Sequence, residues 1–257
     1  MSWFDWIVVL IFIFCTLVLI HLCTKSETRT RTQTQSKILI STIKDKTKIP
    51  AHIFENRNRF ARNYEHIVFD DEECVRFLER HYGMSISTKF KEIRSGAHKA
   101  DLFRYAYLYK FGGLYVDIKT LFIKDIDEIF TDPNLCYFIV TKNSGLMYNG
   151  IIHTPPNNPI IHEMLMRSME VQPFHEHYFN IKHGTQIIQS KLRAPLKQGL
   201  NTTVESVPNC MIMFEEFFDK SFCNDKVDRY GFCTFVVDQH ERPIIKIRDA
   251  SYTPNYS

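Results

Sequence analysis

Between Ala97 and Thr120 the chain reads A-H-K-A-D-L-F-R-Y-A-Y-L-Y-K-F-G-G-L-Y-V-D-I-K-T, a helical pattern halted by two adjacent glycines and followed at once by a strand pattern. Paired glycines tolerate the positive φ at which helices stop, so Gly112-Gly113 predicts an abrupt reversal from a helix over 97–111 into a strand over 114–120. A helix folded back onto its own strand needs a sheet to pack on, which predicts a layered α/β domain. Neighbouring segments agree. Glu65–Phe69 (E-H-I-V-F) reads as a strand ending at Asp70-Asp71, and Asp71 is placed to cap a helix carrying Val75, Phe77 and Leu78 as far as Gly83. Leu135–Val140 reads as a buried strand, Pro159–Met169 as a helix, and Phe232–Val237 with Ile244–Ile247 as a terminal strand pair.

The same segment carries the candidate chemistry. Asp101 and Arg104 are three apart and share one helix face, so their side chains can act together. Period-two alternation puts Leu114, Val116 and Ile118 on one face of the strand and Tyr115, Asp117 and Lys119 on the other, one face for the core and one for chemistry. The glycine reversal turns the Asp101/Arg104 face and the Asp117 end of the strand toward one cleft. By themselves these residues also fit a salt-bridged pair beside a polar strand end. Other groups are weaker. His175-Glu176-His177 lacks metalloprotease spacing and reads as a solvated turn, and His240 with the Asp249–Tyr252 tail reads as loop. Cys210, Cys223 and Cys233 do not have the spacing of a C-x-x-C zinc site, leaving one disulfide or none.

From Trp6 to Cys23 run 18 residues without a formal charge, enough for a helix of about 27 Å. No basic n-region or small-x-small cleavage site accompanies it, so the expectation is a retained membrane anchor, not a cleaved signal. Residues 24–36 (T-K-S-E-T-R-T-R-T-Q-T-Q-S) hold no apolar side chain and read as a solvated stem. The predicted organisation is therefore an anchor over 1–23, a stem over 24–36 and a folded domain over 37–257. Lys25, Arg29 and Arg31 after the span lean toward a cytoplasmic body. Asn201-Thr202-Thr203 and Asn255-Tyr256-Ser257 fit the N-glycosylation pattern and lean slightly toward a lumenal one. A net charge of +3 from 32 basic and 29 acidic residues is too balanced for a nucleic-acid binder.

The string over Ser95–Thr120 resembles the sugar-binding region of glycosyltransferase family 32, which includes yeast-type initiating α-1,6-mannosyltransferases and related galactosyl- and inositolphosphoceramide mannosyl-transferases. That family's pattern is approximately A-x-x-x-D-x-x-R-Y-x-x-L-Y-x-x-G-G-x-Y-x-D-x-D. Weaker resemblance covers Ile49-Pro50, Asn63–Glu65, Phe69–Glu72 and Asn149–Pro159. The resemblance implies a GT-A-like fold with a mixed central sheet and a retaining transfer of a hexose from a nucleotide-sugar donor to a glycan or lipid acceptor. It also implies a lumenal (Golgi or ER) body. Carried over by position, Asp101, Arg104, Tyr115 and Asp117 would form the donor site, and Asp117 would be the first carboxylate of the D-x-D motif, able to ligate a divalent Mn or Mg ion. Lys119 stands where the second carboxylate belongs. Two alternatives follow from it: a metal-independent enzyme in which Lys119 meets the diphosphate, or a sugar-nucleotide or glycan-binding protein that has lost its metal site and catalysis.

Overall fold

Short apolar runs separated by turn residues pair into a single mixed sheet in the computed structural model, which describes residues 37–141, 145–172, 179–192, 211–218 (backbone), 233–238 and 240–247. The segments Trp6–Cys23, 24–36, His175–His177, Asn201–Thr203, Asp249–Tyr252 and Asn255–Ser257, with Cys210 and Cys223, lie outside the described residues. Among those described, no helix is long and apolar enough to cross a membrane.

The strands are β1 (Ile38–Thr42), β2 (Glu65–Phe69), β3 (Gly113–Val116), β4 (Leu121–Phe122), β5 (Cys136–Thr141), β6 (Met147–Thr154), β7 (Met211–Phe218), β8 (Thr234–Val237) and β9 (Pro243–Lys246). They order as β2-β1-β3-β6-β5-β7-β8-β9-β4. β1 is parallel to β2 and β3, and β5 to β7, while β3 and β5 both pair antiparallel to β6. The helices are α1 (Ala51–Phe60), α2 (Asp71–Tyr82), α3 (Met84–Glu92), α4 (Gly96–Phe111), α5 (Ile126–Ile129), α6 (Pro159–Ser168) and α7 (Phe179–Leu192).

Strand alternation divides the core between the two faces of the sheet. Ile40, Tyr115, Phe138 and Ile152 join a cluster with residues of α2, α3, α4, α6 and α7. Leu39, Leu114, Val116, Ile139 and Ile151 join a second cluster with Ile126 and Ile129 of α5. Aromatic side chains pack against one another in the first cluster: Phe69 lies 4.8 Å from Phe103 and Phe77 stacks on Tyr107 at 5.2 Å between ring centroids.

Local sequence accounts for most boundaries. Asp70, not Asp71, caps α2: its carboxylate accepts from the Glu73 amide while Glu73 reaches back to the Asp70 amide, a capping box set by residues three apart. Ser95 caps α4, and Asn158 followed by Pro159 opens α6. Gly112 and Gly113 sit at φ 68° and 104°, and a Cβ on Gly112 would meet the Thr154 carbonyl at 2.8 Å. The helix-to-strand reversal needs both glycines. The predicted strand over 114–120 is too long, however. β3 stops at Val116: the Asp117 amide makes the last bond of the β3–β6 ladder, to the Gly150 carbonyl, and the Thr120 amide then turns back to the Asp117 carbonyl at 2.9 Å. Residues 117–120 form a turn at the sheet's end, so the alternation that paired Lys119 with Asp117 does not extend to them.

Candidate active site

Asp101 precedes Gly112 by eleven helical residues and Asp117 follows it by five extended ones; both distances come to about 16 Å from the reversal. The two carboxylates therefore stand at the same level, where β1, β2 and β3 end. α4 is buried nearly all round, with His98 and every residue from Asp101 to Leu108 inside the protein. A helix so placed must bury its polar residues as well, and His98, Asp101 and Arg104 meet in one cluster.

Arg104 is the hub. Its Nε donates to the Ala100 carbonyl at 3.1 Å, Nη1 donates to the Asn149 carbonyl, and Nη2 lies 3.4 Å from Asp117 Oδ1 and 3.5 Å from Asp101 Oδ1. The guanidinium also stacks over the Tyr115 ring, 4.2 Å from its centroid. Asp101 Oδ1 accepts from Asn149 Nδ2 at 3.1 Å and Oδ2 from Asn180 Nδ2 at 2.9 Å, with His98 Nδ1 3.7 Å away. Burial works against a charge on Asp101, but Arg104 and the hydrogen bonds from His98 and Asn180 outweigh it and hold the carboxyl below its ordinary range. Burial likewise opposes the Arg104 charge, and Tyr115, Asp101 and Asp117 more than compensate, leaving a permanent cation.

Asp117 receives what this cluster directs outward. Tyr115 OH donates to its Oδ1 at 3.0 Å and also meets Thr42 Oγ1 at 3.1 Å. Tyr148 OH donates to Oδ2 at 3.4 Å. The Asp117 side chain is 38% exposed, against 8% for Asp101 and 5% for Arg104. Asp117 is the member of the group that faces outward, and the buried pair holds it in place. Burial, with Asp117 nearby, pushes the Tyr115 phenol far above its usual range, so it stays a neutral donor.

The structure thus brings Asp101, Arg104, Tyr115 and Asp117 together as the sequence pattern predicts. One expectation changes. Both faces of β3 are buried, so Tyr115 is a core residue with only its hydroxyl at the site. Lys119, half-buried, lies in the turn two residues beyond Asp117. His240 is in a short turn, its amide donating to Asp238. Asn149, Asn180, Tyr148 and Arg57 escaped sequence reasoning. Gly150 was the available signal for one of them: a Cβ there would collide with the Tyr148 ring, so a bare position on β6 lets that ring lie across the strand toward Asp117. As to a metal, Asp117 offers one carboxylate whose oxygens already accept three protein donors. Among the described residues no group of three His, Cys, Asp or Glu gathers that could hold an ion. The described side chains therefore do not make a metal cage of their own.

Residues 50–136 match the family described as glycosyltransferase sugar-binding region containing DXD motif. The match spans all four clustered residues and Lys119. An initiation-specific α-1,6-mannosyltransferase of Candida albicans is 31% identical over 100 residues, covering 38% of this chain and 25% of that protein. The corresponding protein of Saccharomyces cerevisiae is 26% identical over 182 residues, covering 65% of this chain and 38% of the relative. Mannosyl phosphorylinositol ceramide synthase of S. cerevisiae is 24% identical over 153 residues, covering 58% and 37%. The chain thus aligns with a quarter to two fifths of the length of these relatives. The resemblance drawn from Ser95–Thr120 is borne out.

Proposed function

Because this chain is kin to the glycosyltransferases through its sugar-binding region, we propose that it transfers a hexose, as mannose-transferring relatives do, from a nucleotide-sugar donor to a glycan or lipid hydroxyl. The observation that carries this reading is the convergence of Asp101, Arg104 and Tyr115 on the half-exposed carboxylate of Asp117. The mixed sheet with helices packed on it, and the site at the ends of β1, β2 and β3, agree with a GT-A-like domain over 37–257.

The chemistry asks for such a carboxylate. As the bond from the anomeric carbon to the diphosphate oxygen breaks, its electron pair leaves with the nucleotide diphosphate and the sugar ring becomes positive. The acceptor oxygen bonds to that carbon and its proton passes to the departing phosphate. In the retaining course proposed here, the acceptor approaches the face the phosphate leaves, so no protein nucleophile is needed. Asp117 faces the developing positive ring. Its orientation is set beforehand by Arg104, Tyr115 and Tyr148, which costs no reorganisation during the reaction. A divalent ion would supply charge at the diphosphate, with Asp117 as its carboxylate ligand from the D-x-D position; the alternative is a metal-independent course in which Lys119, standing at the motif's second position, supplies that charge.

Membrane attachment through Trp6–Cys23, with a lumenal body, completes the reading. Cys233 is disulfide-bonded, which suits an oxidising compartment. That observation weighs against the cytoplasmic placement suggested by Lys25, Arg29 and Arg31.

The deciding experiment offers the purified full chain a panel of nucleotide sugars and reads nucleotide release with and without acceptor glycans. Release with one or a few donors, cut about 10²–10³-fold but still measurable in Asp117→Asn, is expected. Donor binding without release from any member of the panel would leave a binding protein and overturn the transferase reading.

A further inference from the structure

Arg57 on α1 is the largest fully buried side chain of the described residues, 2% exposed. A buried guanidinium ordinarily faces a carboxylate, since an unpaired charge inside a protein is costly. No carboxylate bonds to this one among the described residues. Its donors go instead to one stretch of backbone. Nη2 donates to the carbonyls of Asp117 at 3.4 Å and Ile118 at 3.3 Å. Nη1 donates to Ser41 Oγ at 3.0 Å, and the Ser41 hydroxyl donates in turn to the Val116 carbonyl at 2.7 Å. Three successive carbonyls, where β3 gives way to the turn, are thus held directly or through one hydroxyl. Nη1 also meets His66 Nε2 at 2.6 Å. Burial and the Arg57 charge depress His66 to a pKa of about 3, so its ring is neutral and that nitrogen accepts. The Arg57 Nε has no partner.

This arrangement makes sense if the conformation of residues 116–118 matters more than the cost of the buried charge. Arg104 grips the Asp117 carboxylate; Arg57 grips the backbone that carries it. We propose that Arg57 is a positioning residue of the donor site, clamping the Val116–Ile118 backbone so that the Asp117 carboxylate keeps its direction. The inference rests on the transferase reading for its consequence in turnover, and on the hydrogen bonds alone for the clamp. A misplacement of about 1 Å at a reacting group costs about 10²-fold in rate, so a looser clamp should be visible kinetically.

The test uses the full chain in detergent with Arg57→Lys, Asp117→Asn and the double variant. Lysine keeps the charge but cannot fan out to the same acceptors. Turnover is expected to fall about 10–100-fold in Arg57→Lys, by the positioning cost above. In the Asp117→Asn background the same substitution should cost less than about threefold, because residues acting through one group are not additive. Hydrogen exchange at residues 117–120 should quicken in Arg57→Lys while Phe103–Leu108 of α4 stay protected. Ser41→Ala, which removes only the link to Val116, should give a smaller loss with the same non-additivity and serves if Arg57→Lys does not fold. Losses that multiply in the double variant, or native exchange at 117–120 in both substitutions, would overturn the proposal. If the native chain turns over no donor, the transferase reading fails while the exchange data still decide the clamp.

Discussion

Replacing Asp101 by Asn keeps the shape of a buried side chain and removes its charge, so it isolates what the Asp101–Arg104 pair contributes. In the native protein the two carboxylate oxygens accept from Asn149 and Asn180 and lie beside Arg104 and His98. Asparagine offers one oxygen and one amide group, so one of the two neighbouring amides is left facing a donor. Arg104 loses its carboxylate partner on the same helix and keeps Asp117, at 3.4 Å, as its remaining carboxylate. Removing one member of a buried pair typically costs about 3–5 kcal/mol, a large share of the 5–15 kcal/mol that holds a domain together. For a domain of this size that corresponds to a fall of about 6–20 °C in Tm. The effect has a pH signature. The Asp101 carboxyl is depressed in the folded state, so its charge stabilises the fold above the ordinary carboxylate value of about 4. That stability is lost as pH falls through the lower folded-state value. The difference in Tm between native and Asp101→Asn should therefore narrow steadily below about pH 4. Thermal unfolding by near-ultraviolet circular dichroism from about pH 2 to about pH 7, which spans that value and neutral pH, measures both effects. A variant that melts with the native protein at neutral pH, or a difference that does not narrow in acid, would refute the view that this pair carries charge and weight in the fold.

Gly112→Ala should lose about 1–3 kcal/mol from backbone conformation alone, plus the contact with the Thr154 carbonyl, read as a lower midpoint in denaturant. Gly150→Ala should push the Tyr148 ring off β6 and cut turnover about tenfold, with a smaller change in Tm than Asp101→Asn; unchanged turnover would remove Tyr148 from the site. Lys119→Asp restores a second carboxylate in the turn, and after chelation its turnover should respond more strongly to added manganese than that of the native chain. Equal responses would show that position 119 does not govern metal use.

What the sequence determined by itself is what local geometry fixes. The helix over 97–111, the glycine reversal and the level meeting of Asp101 with Asp117 follow from rise per residue, and the structure keeps them because Gly112 and Gly113 can adopt the positive φ that the reversal requires. The capping box of α2 was legible in the same way, one residue earlier than the sequence reading placed it, since Asp70 and Glu73 are three apart. What only the tertiary structure decided is which distant groups close around that meeting point. The Asp117 amide makes the last bond of the β3–β6 ladder, to the Gly150 carbonyl, and the chain then leaves the sheet in a turn whose Asp117 and Ile118 carbonyls Arg57 holds; neither glycine nor proline within residues 114–120 announces that stop. Arg57, Asn149 and Asn180 reach the site from α1, β6 and α7, as much as 79 residues away in sequence. Their hydrogen bonds have no period along the chain, because they depend on the order of strands in the sheet and on which helix covers which face. A local pattern thus placed the carboxylates, and the folded sheet supplied the buried donors that hold them.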